Sequence, residues 1–152
     1  MNTQLPAFQD FLYAHIPLVK AMQMNLISLS EQTLSATAPL SPNINDKSTV
    51  FGGSSAALMT ICGWSLIKLN LERHGVMNDV VIQQAETQWL KAQFDDLTIE
   101  VQSQESLHWQ KICQQVTSDN RTKKILVQCQ VLNTQNEICC TMIGSYVILK
   151  PK

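Results

Sequence analysis

At 152 residues, with 45% hydrophobic and 15% charged residues and a formal net charge of −1, the chain has the length and apolar content to bury a core of its own as one domain over residues 1–152. That balance argues against a disordered polypeptide. It also argues against a nucleic-acid binder working through a concentrated basic face, since the one basic cluster, Arg121, Lys123 and Lys124, reads as a solvated turn.

The N-terminal segment reads as a short helix. Thr3 is placed to cap it, Leu5, Phe8 and Leu12 share one face, Pro6 sits early and Pro17 closes it. The segment has no early positive charge, and Asp10 and Pro17 interrupt its apolar residues, so it does not read as a secretory leader and a cytoplasmic location is expected. Met22, Met24 and Leu26 alternate with polar residues, as do Leu34, Ala36, Ala38 and Leu40. These spacings predict two half-buried strands joined by a turn at residues 30–33. Residues 40–50 are a loop rich in Pro, Asn, Asp and Ser.

Two adjacent glycines, Gly52 and Gly53, then stand in front of the longest apolar run. Glycine costs ~1 kcal/mol against alanine in a helix interior, so the bare backbone must serve a purpose there. The run lacks alternation and is apolar almost all round, which predicts a helix buried on most sides, spanning roughly 35 Å and stopped by Gly75. Thr60, Ser65 and Lys68 interrupt it, leaving it too short and too polar to span a bilayer. Strands are predicted at 79–90 and 97–102. Trp109, Ile112, Cys113 and Val116 keep helical spacing within 106–120, and strands at 124–132 and 138–149 flank a hairpin turn at 133–136. An α+β arrangement satisfies this order, with an antiparallel sheet wrapped around one apolar helix.

The five cysteines, Cys62, Cys113, Cys129, Cys139 and Cys140, form no C-x-x-C pair and read as reduced, buried small hydrophobes. Adjacent Cys139 and Cys140 face opposite ways in a strand, which suits packing. His15, His74 and His108 are far apart in sequence without ligand spacing, so no metal site is expected.

Two stretches, PNINDKSTVFGGSSAALMTICGWSLI at 42–67 and VVIQQAETQWLKAQFDDLTIEVQ at 80–102, resemble the hotdog-fold thioesterases. The closer likeness is to the thioesterase-type domain that some proteins carry behind an acetyltransferase domain of the GNAT type. Trp89, Lys91, Asp95 and Asp96 fit that pattern, with Ala92 where proline is common. The resemblance implies the hotdog fold, a homodimer or dimer of dimers with sites shared between subunits, and hydrolysis of acyl thioesters. Coenzyme A thioester is then a substrate and no further cofactor is implied.

The resemblance also gives the glycines a role. The first N–H groups of a helix have no internal acceptor and carry the positive end of the macrodipole. Unobstructed by side chains, those of Gly52 and Gly53 can hold a thioester carbonyl and its oxyanion, a contribution of ~3–4 kcal/mol in the transition state. Close packing of a loop on the sheet is the other reading of the pair. Many relatives have histidine where this chain has Phe51, which lines an acyl pocket or packs in the core. A branch with a carboxylate in the central helix is matched here by Thr60, able to orient a water but a poor base. The general base is then Asp46 or Glu86, the latter acting across a subunit interface. Asn45 lies beside Asp46 as turn support or substrate contact, Trp64 and Trp89 as core or pocket aromatics, and Lys47 and Lys91 as partners for coenzyme A phosphates. The alternative is a non-catalytic module that binds acyl thioesters. A dehydratase lacks its histidine here, and an acetyltransferase lacks a G-x-G turn.

Overall fold

The computed structural model describes residues 4–152, so a cap at Thr3 lies outside the described residues. Helix α1 (Gln4–His15) buries Leu5, Phe8 and Leu12. Pro17 does not end the helical region; it begins a second helix, α2 (Pro17–Met22). Ile16 is extended, as a residue preceding proline tends to be, and proline's fixed φ suits the first helical position. Gln23, in the left-handed region, closes α2. Met22 is therefore helical and Met24 lies in the link, and strand pairing begins only at β1 (Asn25–Leu29).

The six strands form one antiparallel sheet in the order β1-β2-β4-β5-β6-β3, with β2 Thr33–Ala38, β3 Val80–Trp89, β4 Leu97–Ser103, β5 Lys123–Leu132 and β6 Ile138–Ile148. Period-2 burial lines one face with Leu34, Ala36 and Ala38 of β2, Leu97, Ile99 and Val101 of β4, and Ile125, Val127, Cys129 and Val131 of β5. That face wraps the long helix α3 (Gly52–Arg73), while the short helix α4 (Trp109–Val116) packs its Trp109, Ile112, Cys113 and Val116 inward. This is the α+β hotdog arrangement. Gly75, with φ of +71°, follows α3 and returns its N–H to Glu72 O at 2.9 Å. Among the described residues, no helix is long and apolar enough to cross a membrane.

Burial of α3 is uneven. Its C-terminal half is enclosed, whereas Ala56, Ala57, Thr60, Ile61 and Trp64 remain half-buried. The strand on that side, β3, stands at the sheet edge, and of its ten residues only Val80 is buried. Trp64 is a structural tie between the two elements, its Nε1 donating to Val80 O at 2.8 Å while its ring stacks on Phe8.

All five cysteines are free and buried. Burial pushes the Cys129 thiol up to about 12, and burial with Cys129 nearby raises Cys62 well above its ordinary value. Above the ordinary thiol value of 9.0 the unfolded chain loses these protons while the folded chain keeps them. Stability is therefore intact below that pH and declines as pH rises towards about 12. Urea midpoints should fall progressively above about pH 9, and Cys129→Ala should flatten the decline. An unchanged slope in that variant would assign the effect to other groups.

Candidate active site at the start of the central helix

The loop entering α3 is built by Asn45 and Asn43. Asn45 Oδ1 accepts from Lys47 N at 2.8 Å and from Thr49 N at 3.1 Å, closing a turn. Asn43 is pinned by its Nδ2, which donates to Met22 O and Pro39 O, and its carbonyl receives Phe51 N at 2.8 Å. Asn45 thus serves the loop. Its neighbour Asp46 is ion-paired with Lys47 at 3.1 Å, both side chains at least three-quarters exposed, and neither lines a cavity at the helix start.

Phe51 is the N-cap residue, extended at φ −66° and ψ 127°, with no side-chain cap. Its carbonyl takes the N–H groups of both Ser54, at 2.9 Å, and Ser55, at 3.3 Å. The N–H groups of Gly52 and Gly53 find no acceptor among the described residues. Two aromatic rings also need the missing side chains. A Cβ on Gly52 would lie 2.9 Å from Trp89 Nε1, and one on Gly53 would lie 2.3 Å from Phe51 Cε2. Trp89 is itself held there, donating Nε1–H to Gly52 O at 3.0 Å. Close approach and unpaired amides therefore coexist at the same two residues.

Beside this helix start is a cavity of about 270 Å³, walled by Val50, Gly52 and Ser55, by the segment from Trp89 to Gln93, and by Cys139 and Cys140 of β6. Lys91 is the cation in its wall, but its ammonium is bound by Glu137 Oε2. That contact, then Asn133, holds the Glu137 carboxyl below its usual range. Burial raises the thiols of Cys139 and Cys140, the latter to about 11, so neither is a ready thiolate at neutral pH.

The structure does not bring every sequence-derived candidate to the cavity. Gly52 and Lys91 line it and Trp89 forms one wall, whereas Phe51 and Gly53, on either side of Gly52 in the chain, are not among its wall residues. Thr60 lies two turns into α3, its hydroxyl donating to Ala56 O at 2.8 Å. Glu86 is exposed on β3, opposite Ile143 of β6. No carboxylate lines the cavity.

Two wall residues escaped the reading of the sequence. Ser55 is 4% exposed and lines the cavity from α3. It heads the buried face that continues through Leu58, Met59 and Cys62, and a serine at the first core position of an apolar helix is the signal that could have marked it. Gln93 is 3% exposed. It follows Ala92 in a connection without periodicity, so no pattern singles it out.

A family model described as "Putative thioesterase (yiiD_Cterm)" matches residues 5–150. Among solved structures, a putative thioesterase from Shewanella oneidensis is similar over 98% of this chain and 99% of its own, with 26% identity and a TM-score of 0.86. A thioesterase from Haemophilus influenzae is similar in fold over 100% of this chain and 95% of its own, with 16% identity and a TM-score of 0.77. The PaaI protein from the phenylacetic acid degradation operon of E. coli shares the fold over 98% of this chain and 96% of its own, with 13% identity and a TM-score of 0.72.

Proposed function

The chain belongs to the putative thioesterase family described as yiiD_Cterm, and from that membership we propose that it hydrolyses acyl thioesters, acyl-CoA among them, by direct attack of water. The observation that carries this reading is the pair of unpaired amides, Gly52 N–H and Gly53 N–H, at the start of a 22-residue helix with a cavity beside it. A thioester oxygen held there accepts both N–H groups. Water adds to the carbonyl carbon while a base takes its proton, and the C=O electron pair moves onto the held oxygen. When that pair returns, the C–S bond breaks, the thiolate leaves with a proton, and the carboxylic acid remains.

Since the cavity has no carboxylate of its own, we assign the base to Glu86 of a second copy. The edge strand β3 supports this. It exposes Val81, Ile82 and Trp89 on both its faces, beside the half-buried stripe of α3, and a long edge strand with exposed apolar residues is a template for pairing with another chain. A homodimer joined through β3 covers both surfaces and places Glu86 at the interface. Lys91 is the candidate for a coenzyme A phosphate, in competition with Glu137; Lys47 is less suited, being paired with its neighbour Asp46 on an exposed loop.

The absence of a carboxylate from the cavity wall equally favours a non-catalytic acyl-thioester binding module, and one experiment separates the two. Release of free thiol is measured with a panel of acyl-CoAs, alongside binding of the same compounds and the solution mass. The hydrolase reading expects steady turnover by a dimer and a loss in Glu86→Gln of about tenfold to a hundredfold in kcat. Binding without turnover on any member would assign the protein to the binding module instead.

A further inference from the structure

Trp89 ties the end of β3 to the first peptide group of α3. Its backbone is fixed by the sheet, since Trp89 stands opposite Cys140 of β6 and the next two amides, Leu90 N and Lys91 N, donate to Cys139 O at 2.9 and 3.2 Å. From that anchor the indole lies against Gly52, where a Cβ would fall 2.9 Å from Nε1 and 3.3 Å from Cδ1. Nε1–H donates to Gly52 O at 3.0 Å. An indole nitrogen is a donor only, so the sense of this bond is fixed.

The oxygen it holds belongs to the peptide bond between Gly52 and Gly53. That group is planar, so the direction of its C=O sets the opposite direction of its N–H. The N–H is that of Gly53, which finds no acceptor among the described residues. With glycine on both sides, this peptide has more freedom to turn than any other in the first turn of the helix, and a bond to its oxygen takes that freedom away. The same bond polarises the group, strengthening its N–H as a donor by ~10–30%.

We propose that Trp89 is a positioning residue for the reaction, which through Gly52 O orients and polarises the Gly53 amide that receives the thioester oxygen; this rests on the thioesterase reading of the site. Losing a whole oxyanion donor lowers kcat about a hundredfold to a thousandfold. Losing ~10–30% of one donor's strength then corresponds to a fall of about twofold to tenfold. The loss falls on kcat and spares KM, because full charge develops on that oxygen only in the transition state.

Two changes at position 89 test this. Trp89→Phe keeps an aromatic ring without the donor, and benzothienylalanine in place of Trp89 keeps the bicyclic shape with sulfur where the N–H was. Gly52–Gly53 is the sole Gly-Gly pair in the sequence. Glycine labelled with carbon-13 at the carbonyl and nitrogen-15 at the amide therefore gives one carbonyl-correlated amide signal, from this peptide group alone. Both changes should lower kcat by about twofold to tenfold on an acyl-CoA that the wild type hydrolyses, with KM altered less than about twofold. Both should also move the Gly52–Gly53 signal. An unchanged kcat with benzothienylalanine, or a rise in KM alone, overturns the positioning role and leaves the thioesterase reading in place. If the wild type turns over no acyl-CoA, the hydrolase falls and the signal decides the rest. A shift in the benzothienylalanine protein then retains Trp89 as the group that sets this amide, and an unmoved signal removes that as well.

Discussion

Gly52→Pro is expected to lose about a hundredfold to a thousandfold in kcat on a good acyl-CoA substrate, while Gly52→Ala loses only a few-fold. The two variants add a Cβ at the same place, 2.9 Å from Trp89 Nε1, and Trp89 is an exposed side chain that can yield. They differ at the nitrogen, where proline replaces the N–H with the Cδ of its ring. Gly52 is the first residue of α3, where proline is well accommodated because that N–H has no helical acceptor in any case. Phe51, the residue before it, is already extended, as a residue preceding proline must be. The helix should therefore survive, with circular dichroism and thermal midpoint close to those of the alanine variant. A rate for Gly52→Pro within about tenfold of Gly52→Ala, below the cost of losing one oxyanion donor, would show that this amide does not meet the transition state. The glycines would then serve only the packing of Trp89 and Phe51.

What the sequence reveals follows from which surfaces the chain covers by itself. Strands β4 and β5 alternate cleanly because one face meets α3 and the other meets solvent, so period-2 reading finds them and finds their inward residues. The stretch VVIQQAETQW reads as a strand for similar reasons, yet β3 is exposed on both faces. Its exposed Val81 and Ile82 are left uncovered within one chain, and a single-chain pattern cannot say what they cover. Pro17 misleads for a local reason, since proline terminates one helix and suits the first turn of the next equally well.

Within the candidate site, the glycine pair was legible because two glycines before an apolar helix contradict propensity. Gln93 was not, since its meaning lies in two hydrogen bonds to Asp96 and Leu132, one of them 39 residues away in sequence. Asn45 and Asp46 illustrate the converse. Polar residues close in sequence to a helix start need not face the ligand, because a loop of Asn, Asp and Ser must first satisfy its own backbone. Here the Asn45 side chain does that and Asp46 turns to Lys47.

Gly63→Ala tests how the helix and the sheet are set against each other. In a helix interior the substitution gains ~1 kcal/mol of propensity. At this position, however, the new Cβ would lie 2.4 Å from Tyr146 Oη, 2.8 Å from its Cζ and 2.9 Å from its Cε1. Tyr146 is fully buried on β6, and its hydroxyl donates to Thr60 O at 2.7 Å, so the ring has nowhere to retreat. Overpacking costs about 1–3 kcal/mol, and a buried hydroxyl torn from its acceptor costs about 1–3 kcal/mol more. Loss outweighs gain, for a net destabilisation of about 1–5 kcal/mol. In a domain of this size that lowers Tm by roughly 2–20 °C. Tyr146→Phe removes the nearest of the three contacts, so it should cost less in the Gly63→Ala background than alone, a coupling of at least about 0.5 kcal/mol. A more stable Gly63→Ala protein, or strict additivity of the two substitutions, would show that α3 is free to shift against β6. The consequence reaches the site, because Gly52 and Ser55 lie on that helix and Cys139 and Cys140 on that strand. The contact of Gly63 with Tyr146 thus helps to set the spacing of the two elements that carry walls of the cavity.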